Sequence, residues 1–322
     1  MDMKRFDNPS IAIVGAGAMG CLFGGLLAEG GLDVTLIDVW KDHVDRINRE
    51  GLKIVGFGGD RHVRVRAVQD ARDVERADIV FFQCKATANK AAASSVRHLF
   101  ETEGTVGISF QNGLGSEEEI GNIVGVGHML MGLTAQSAML DGPGVVRAFA
   151  DLPSYIGELQ GGGSERAAAA ASALTRAGLH VFASETILRE KWSKLLVNIA
   201  FAGTSGTTGL TLGRVIEHPE LSEVARAAME EAAAVAEAWG VSLDPAARMK
   251  TFDQILSGEA RNNKASVCAD LAAGRLTEVD YIYGTVIRLA AELGIAVPTL
   301  RALSALIKGR EEAAKQPIPA AA

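Results

Sequence analysis

Gly15-Ala16-Gly17-Ala18-Met19-Gly20, set directly after the apolar run Ile11-Ala12-Ile13-Val14, constrains this chain more than any other stretch. Four small or β-branched apolar residues in a row suit a strand buried on both faces. The three glycines then fall at G-x-G-x-x-G spacing, the mark of a strand-to-helix turn. Gly15 allows the tight turn, Gly17 lets backbone approach a pyrophosphate, and Gly20 lets the helix lie close to the strand. Free N–H groups and the helix dipole supply positive potential for the phosphates. Alone, the spacing is weak. Here a second strand, Asp33 to Ile37, follows the helix and ends at Asp38, where an acid commonly meets a ribose hydroxyl. Residues 11–38 therefore read as a dinucleotide-binding βαβ unit. Gly15, Ala16, Gly17, Ala18, Met19, Gly20 and Asp38 are its cofactor-binding residues.

The pattern continues as a doubly wound sheet. Leu52 to Val55, a Gly-rich turn at 56–60, and Val63 with Val65 read as a hairpin. Ile79 to Phe82 is a third buried strand with Lys85 beyond its carboxyl end. Val106 to Phe110 is a fourth, followed by Gln111-Asn112-Gly113. Ligands of such sheets sit outside the carboxyl ends of the strands. Gly15, Asp38, Lys85 and Asn112 all fall there, and the coincidence says more than any one of them. Three short strands between Met129 and Glu158 read as antiparallel additions to the sheet edge. The linker Gly161 to Ser164, a helix from Glu165 to Ala177 and a strand from Leu179 to Ala183 complete this part.

After Ser184 the strand signal stops. Residues 185–316 read as consecutive helices, broken at 203–213, 218–219, 240–245, 258, 274 and 294–298, with a frayed tail from Pro317 to Ala322. The expected architecture is thus α/β, a Rossmann-type doubly wound sheet domain over 1–184 followed by an all-helical domain over 185–322. A cleft between two such domains is the default place for substrate. The chain carries 39 acids against 32 bases, a net charge of −7, which argues against a nucleic-acid surface. No apolar run is long enough for a membrane span, and the polar start lacks a signal-peptide core. Three widely spaced cysteines suggest neither a disulfide framework nor a metal site, and fit a reducing cytoplasm. The alanine-rich helices either supply a homodimer surface or bury their apolar faces internally, and the sequence leaves both open.

In the helical half, Lys194 and Asn198 are four apart and share a helix face among Leu195, Leu196 and Val197. A lysine on so packed a helix is open to desolvation, which lowers its pKa, although spacing alone favours an ordinary snorkelling lysine. Ser266 lies on a helix from Ala265 to Ala273, which Gly274 ends. Thr277 reads as an N-cap with Asp280 in the capping-box position, which puts Glu278 in the first turn of the next helix.

Taken in order, these residues resemble the ketopantoate reductase family over nearly the whole chain. The resemblance rests on the glycine turn, Lys85, Gln111 to Gly115, Asp141 to Val145, Ile156-Gly157-Glu158, Lys194-Leu195-x-x-Asn198, and Ser266 with Asp270 and Thr277 to Tyr281. It implies hydride transfer from NADPH to the C2 ketone of ketopantoate. In that scheme Lys194 is the general acid, and Glu278 holds the lysine and the substrate hydroxyl. Asn198, Asn263 and Ser266 bind substrate polar groups, while Asn112 and Lys85 bridge cofactor and substrate. Two positions depart from the family pattern. Ala202 stands where the family carries a further asparagine, so Thr204 or Ser205 is the candidate replacement, or the pocket takes another small 2-oxo acid with fewer hydroxyls. Asp38 stands where a basic residue usually meets the 2′-phosphate of NADP(H), which favours NAD(H), with Lys41 close enough to reverse that preference. A nicotinamide-binding sensor without turnover is the reading of a different class, and it has no need of an acid at Lys194.

Overall fold

The computed structural model describes residues 3–101 and 104–315. The chain runs β1 (Ile11–Val14), α1 (Ala18–Glu29), β2 (Val34–Ile37), α2 (Lys41–Glu50), β3 (Leu52–Gly56), β4 (Arg61–Val63), β5 (Arg66–Val68), β6 (Ile79–Phe82), α3 (Asn89–Ser95), β7 (Val106–Ser109) and α4 (Ser116–Val124). It continues with β8 (Met129–Thr134), β9 (Ala138–Gly142), β10 (Val145–Ala148), β11 (Ser154–Glu158), α5 (Glu165–Arg176) and β12 (Val181–Ala183). Helices then follow: α6 (Ile187–Thr208), α7 (Leu212–Glu217), α8 (Pro219–Ala238), α9 (Pro245–Ser257), α10 (Ser266–Ala272), α11 (Thr285–Glu292) and α12 (Pro298–Lys315). The mixed α/β architecture followed by helices is the one expected. The tail Pro317–Ala322 lies outside the described residues.

The main sheet has the order β12-β11-β8-β7-β6-β1-β2-β5. From β8 to β5 all neighbours are parallel, whereas β11 runs antiparallel to β8. The run IAIV in β1 needs no polar alternation because both faces are covered. Ile11 and Ile13 join one apolar cluster with Phe23, Leu27 and Leu174, while Ala12 and Val14 join another with Ala93, Val96 and Ile120. The chain leaves β1 toward β2 on one side and reaches β6 on the other. The pair β1/β6 is therefore the topological switch point, where the ends of strands part to leave a crevice.

Two strand expectations need correction. β8 pairs parallel with β7, so it extends the parallel sheet and is not an antiparallel edge. β9 and β10 leave the main sheet and join β3 and β4 in a separate sheet of order β4-β3-β10-β9. That small sheet has an apolar face to bury: Leu52, Ile54 and Val146 belong to the same cluster as α1. The expected 52–63 hairpin is present in it, with Leu52 opposite Val63.

By contacts the chain forms two compact units, one of residues 1–111 and 116–188, the other of residues 112–115 and 189–322. In the second unit, α8 packs against α7, α11 and α12. Glu231 of α8 accepts hydrogen bonds from Thr299 N (2.9 Å) and Leu300 N (3.0 Å), capping the start of α12. The expected break over 203–213 is shorter in fact. α6 runs through Gly203 and Gly206 and ends at Thr208, because both glycines are seats for neighbouring side chains. A Cβ would meet Leu303 at Gly203 and Val267 at Gly206.

Candidate active site

The glycine turn has the geometry a dinucleotide requires. Gly15 has φ +97°, and a Cβ there would strike the Cys84 nitrogen and the Gln83 carbonyl carbon (2.8 Å), across the switch point. Gly17 is the extended N-cap of α1, and a Cβ there would meet nothing within 4 Å, so that face of the helix start is open to a phosphate. A Cβ on Gly20 would collide with the Gly15 carbonyl oxygen and approach Ile13. Ala16 is buried, while Ala18 and Met19 in the first turn are partly exposed.

Asp38 caps this arrangement. Its Oδ2 accepts from Ala16 N at 2.8 Å and its Oδ1 from Trp40 N at 2.9 Å. Each carboxylate oxygen retains a lone pair for a ribose hydroxyl. Lys41 pairs with Asp45 one turn on, an exposed ion pair open to solvent screening. Lys85 is exposed at the start of a 3₁₀ turn, Ala86–Ala88.

Sequence reasoning missed a buried support beneath the turn. Gly144 N donates to His43 Nδ1 (2.9 Å), which leaves the proton on Nε2 facing Cys21 Sγ (3.3 Å), and Cys21 Sγ donates to Ala16 O (3.0 Å). Burial holds His43 below the usual histidine range and pushes the Cys21 thiol up, so both stay neutral. Sequence reasoning named Gln111 but gave it no role: its amide donates to Cys84 O (2.6 Å) and to Asn89 Oδ1 (2.7 Å), bracing the ends of β6 and β7. Neither support has a local signature, because each joins residues far apart in sequence.

In the helical unit, Lys194 Nζ donates to Asn112 Oδ1 at 3.0 Å. The Lys194 ammonium is pushed down to about 8, chiefly by burial and then by the charge of Lys191, while Glu278 pulls the other way. Glu278 itself is 7% exposed. Lys194, Asn112 and Glu278 are thus brought together. Asn198 follows one turn along α6 and is partly exposed. Asn263 and Ser266 are exposed beside and at the start of α10. Asn112 reaches Lys194 because its loop docks on the segment after Glu278. Leu114 N donates to Tyr281 O (3.0 Å), Thr285 Oγ1 donates to Leu114 O (2.9 Å), and Gly113, at φ +84°, has no room for a Cβ against the Tyr281 carbonyl.

Three local expectations change. Glu278 does not sit in the first turn of a regular α-helix, because Asp280–Gly284 is a π-helical turn leading into α11. The capping box at Thr277 closes differently. Thr277 Oγ1 does accept from Val279 N (3.2 Å), but Thr277 N donates to Glu311 of α12 (2.7 Å), and Asp280 pairs with Lys308. Thr204 and Ser205 do not replace an asparagine at 202. Thr204 Oγ1 donates to Ala200 O (2.9 Å), and Ser205 Oγ donates to Leu210 O (2.7 Å) and accepts from Ala265 N (3.2 Å).

A glycine turn at the switch point of a doubly wound sheet, joined in one chain to a helical unit with a depressed lysine, defines a nicotinamide-dependent oxidoreductase. Comparison with known proteins agrees. Residues 11–161 match the family model "Ketopantoate reductase PanE/ApbA" and residues 186–311 its C-terminal companion. The chain is 35% identical over 303 residues to the 2-dehydropantoate 2-reductase of Pyrococcus abyssi (94% of this chain, 97% of that one). It is 31% identical over 299 residues to that of Halobacterium salinarum (92% and 97%). Among solved structures it resembles a PanE/ApbA family ketopantoate reductase from Ralstonia eutropha (TM-score 0.87, 31% identity, 95% and 100% covered). It also resembles D-mandelate dehydrogenase with NADH and anilino(oxo)acetate (TM-score 0.88, 27% identity, 95% and 100% covered). The chain belongs to the PanE/ApbA ketopantoate reductase family and is an NAD(P)H-dependent oxidoreductase of 2-oxo acids. Among the described residues no helix is long and apolar enough to cross a membrane.

Proposed function

We propose that this enzyme reduces 2-dehydropantoate (ketopantoate) to D-pantoate, with Lys194 as the proton donor and NADH as the preferred cofactor. The sheet unit takes the cofactor role, through Gly15 to Gly20, Asp38 and Lys85, and the helical unit the substrate role. The observation that carries the reading is the Lys194 ammonium, lowered to about 8 and bonded to Asn112 at 3.0 Å. The nicotinamide, when bound, supplies the hydride. Reduction at C2 turns the ketone oxygen into a developing alkoxide. Lys194 stabilises that charge as an ammonium and then gives up one N–H proton, leaving a neutral amine and a hydroxyl on the product. Lowering its pKa from 10.5 to about 8 makes it a stronger acid by more than two powers of ten. Asn112 aims the ammonium, and Glu278 keeps it charged until the oxygen demands the proton. Asn198, Asn263 and Ser266 are assigned to the substrate carboxylate and hydroxyl. Asp38 favours NADH because a carboxylate repels a 2′-phosphate and accepts from ribose hydroxyls.

A second reading has its own observation. Ala202 is buried, and Thr204 and Ser205 are bonded elsewhere, so this stretch of α6 offers no polar group in place of an asparagine. Another 2-oxo acid, with an apolar group where ketopantoate carries its hydroxyl, would suit it. D-mandelate dehydrogenase, similar in fold, is solved with NADH and anilino(oxo)acetate, which supports this reading. Following nicotinamide absorbance with ketopantoate, a phenyl-substituted 2-oxo acid, NADH and NADPH separates the two readings. Turnover of the aryl acid but not of ketopantoate refutes the first. Lys194→Ala should abolish turnover and keep cofactor binding; full activity in that variant refutes the role of the lysine.

A further inference from the structure

The helix that carries Lys194 is joined to the segment that carries Glu278 by one buried hydroxyl. In a regular helix Gly203 N–H would pair with Ile199 C=O. Here the Tyr283 hydroxyl stands at both groups, accepting from Gly203 N at 2.8 Å and donating to Ile199 O at 2.6 Å. Gly203 makes this possible, since a Cβ there would lie 2.8 Å from the hydroxyl oxygen and 2.7 Å from Leu303 Cβ. Tyr283 is fully buried and belongs to the π-helical turn Asp280–Gly284, two residues beyond Glu278. The same turn holds the Asn112 loop on its other side, through Tyr281 O to Leu114 N, with Thr285 Oγ1 to Leu114 O just beyond it. One short, irregular element is therefore tied to the carriers of all three members of the lysine cluster: it follows Glu278, it docks the loop of Asn112, and it grips α6 at Ile199, directly after Asn198, and at Gly203. A side chain inserted at a helix backbone pair bends or locks the helix there, and π-turns of this kind recur at functional sites.

We propose that Tyr283 is a positioning residue for Lys194: its hydroxyl fixes α6 against the π-helical turn, so that the ammonium meets Asn112 and Glu278 at the right separation. This rests on the reading of Lys194 as the proton donor. The hydroxyl has no part in the chemistry itself.

The test is Tyr283→Phe, which keeps the ring and removes the joint. Thr285→Val, nearly isosteric, breaks the companion joint to Leu114 and serves where the first variant folds poorly. Lys194 is titrated without substrate, by competitive acetylation with acetic anhydride read from its peptide by mass spectrometry. The charged groups that set its midpoint are Lys191 on its own helix and Glu278 ahead of the π-turn. Displacing Glu278 should lower the midpoint by about half a unit or more. It should also lower kcat about tenfold or more, as expected for a sub-ångström misplacement, with cofactor affinity unchanged. A midpoint and kcat both at wild-type values overturn the proposal, whatever happens to thermal stability. If the wild type reduces no 2-oxo acid, the assigned function falls, yet the titration still decides the positioning. If Lys194→Ala is dead while Tyr283→Phe moves neither readout, the function stands and the positioning falls.

Discussion

Replacing Lys194 by methionine should change how the stability of the helical unit depends on pH, and the sign follows from the direction of its shift. The folded protein lowers this lysine from 10.5 to about 8. Below about pH 8 both folded and unfolded chains carry the proton, and the full cost of enclosing an ammonium is present. Between about pH 8 and 10.5 the unfolded chain binds the proton and the folded chain releases it, so wild-type stability rises with pH. The separation corresponds to about 3 kcal/mol, an upper value because Lys194 keeps some solvent contact. Lys194→Met does not titrate, and the other lysines and tyrosines cancel in the difference. The stability of wild type minus variant should therefore grow by up to about 3 kcal/mol from neutral to alkaline pH. Urea unfolding read by tryptophan fluorescence suits the measurement, because Trp192 and Trp239 lie 6.0 Å apart within the helical unit. The third tryptophan, Trp40 of the sheet unit, is best removed in both backgrounds as Trp40→Phe. A difference flat to within about 0.5 kcal/mol over that range, small against the expected shift, would refute the enclosed, depressed ammonium.

The same lysine predicts a basic limb in catalysis: kcat should fall as pH rises through about 8, where the proton donor is lost. A rate that stays level to pH 10 or so would mean another group donates. Asp38→Asn removes the charge and leaves one carbonyl oxygen, which can accept from only one of Ala16 N and Trp40 N, so kcat/KM for NADPH relative to NADH should rise about fivefold, near 1 kcal/mol for a partly exposed charge, while affinity for both cofactors falls. An unchanged ratio would show that Asp38 does not set the preference. Ser205→Ala strips partners from Leu210 O and Ala265 N, and should cost about 1–3 kcal/mol in thermal or urea stability. A loss near zero would show that water replaces the hydroxyl.

What could be read in the chain is what repeats with a period or a spacing. The IAIV and IVFF strands and the glycine turn are local, and each glycine meets the steric demand its place in the motif implies. The hairpin at 52–63 was legible for the same reason. Which sheet it joins was not, because β9 and β10 look like any short alternating strands until Val146 and Leu52 find α1. Within the candidate site, the i, i+4 spacing puts Lys194 and Asn198 on one helix face, but only the family resemblance marks the lysine as functional. The bond from Lys194 to Asn112 spans 82 positions and exists through the docking of Gly113 and Leu114 on Tyr281. Capping at Thr277 could be read as a helix start, but not that Glu311, 34 residues on, would take its backbone N–H.

The hydroxyl residues of α6 bear on the two alternatives that Ala202 leaves open. Thr204, Thr207 and Thr208 each donate to the carbonyl four residues back, at Ala200, Gly203 and Thr204. Such bonds are satisfied within the helix and tend to bend it. A threonine so engaged can still accept a bond, but it has spent its only donor. Ser205 is likewise committed, tying the end of α6 to Ala265, the residue before Ser266. The polar residues that follow Ala202 thus shape the helix and fix its neighbour, and none of their hydroxyls has a proton left to offer a substrate oxygen. A ligand oxygen that an asparagine at 202 would have met forgoes about 0.5–1.5 kcal/mol, roughly a factor of two to ten in affinity. That is enough to tilt a choice between two oxo acids but too little to abolish binding of either. On the proposed assignment of the site, Ala202 then acts as a bias on the choice of oxo acid.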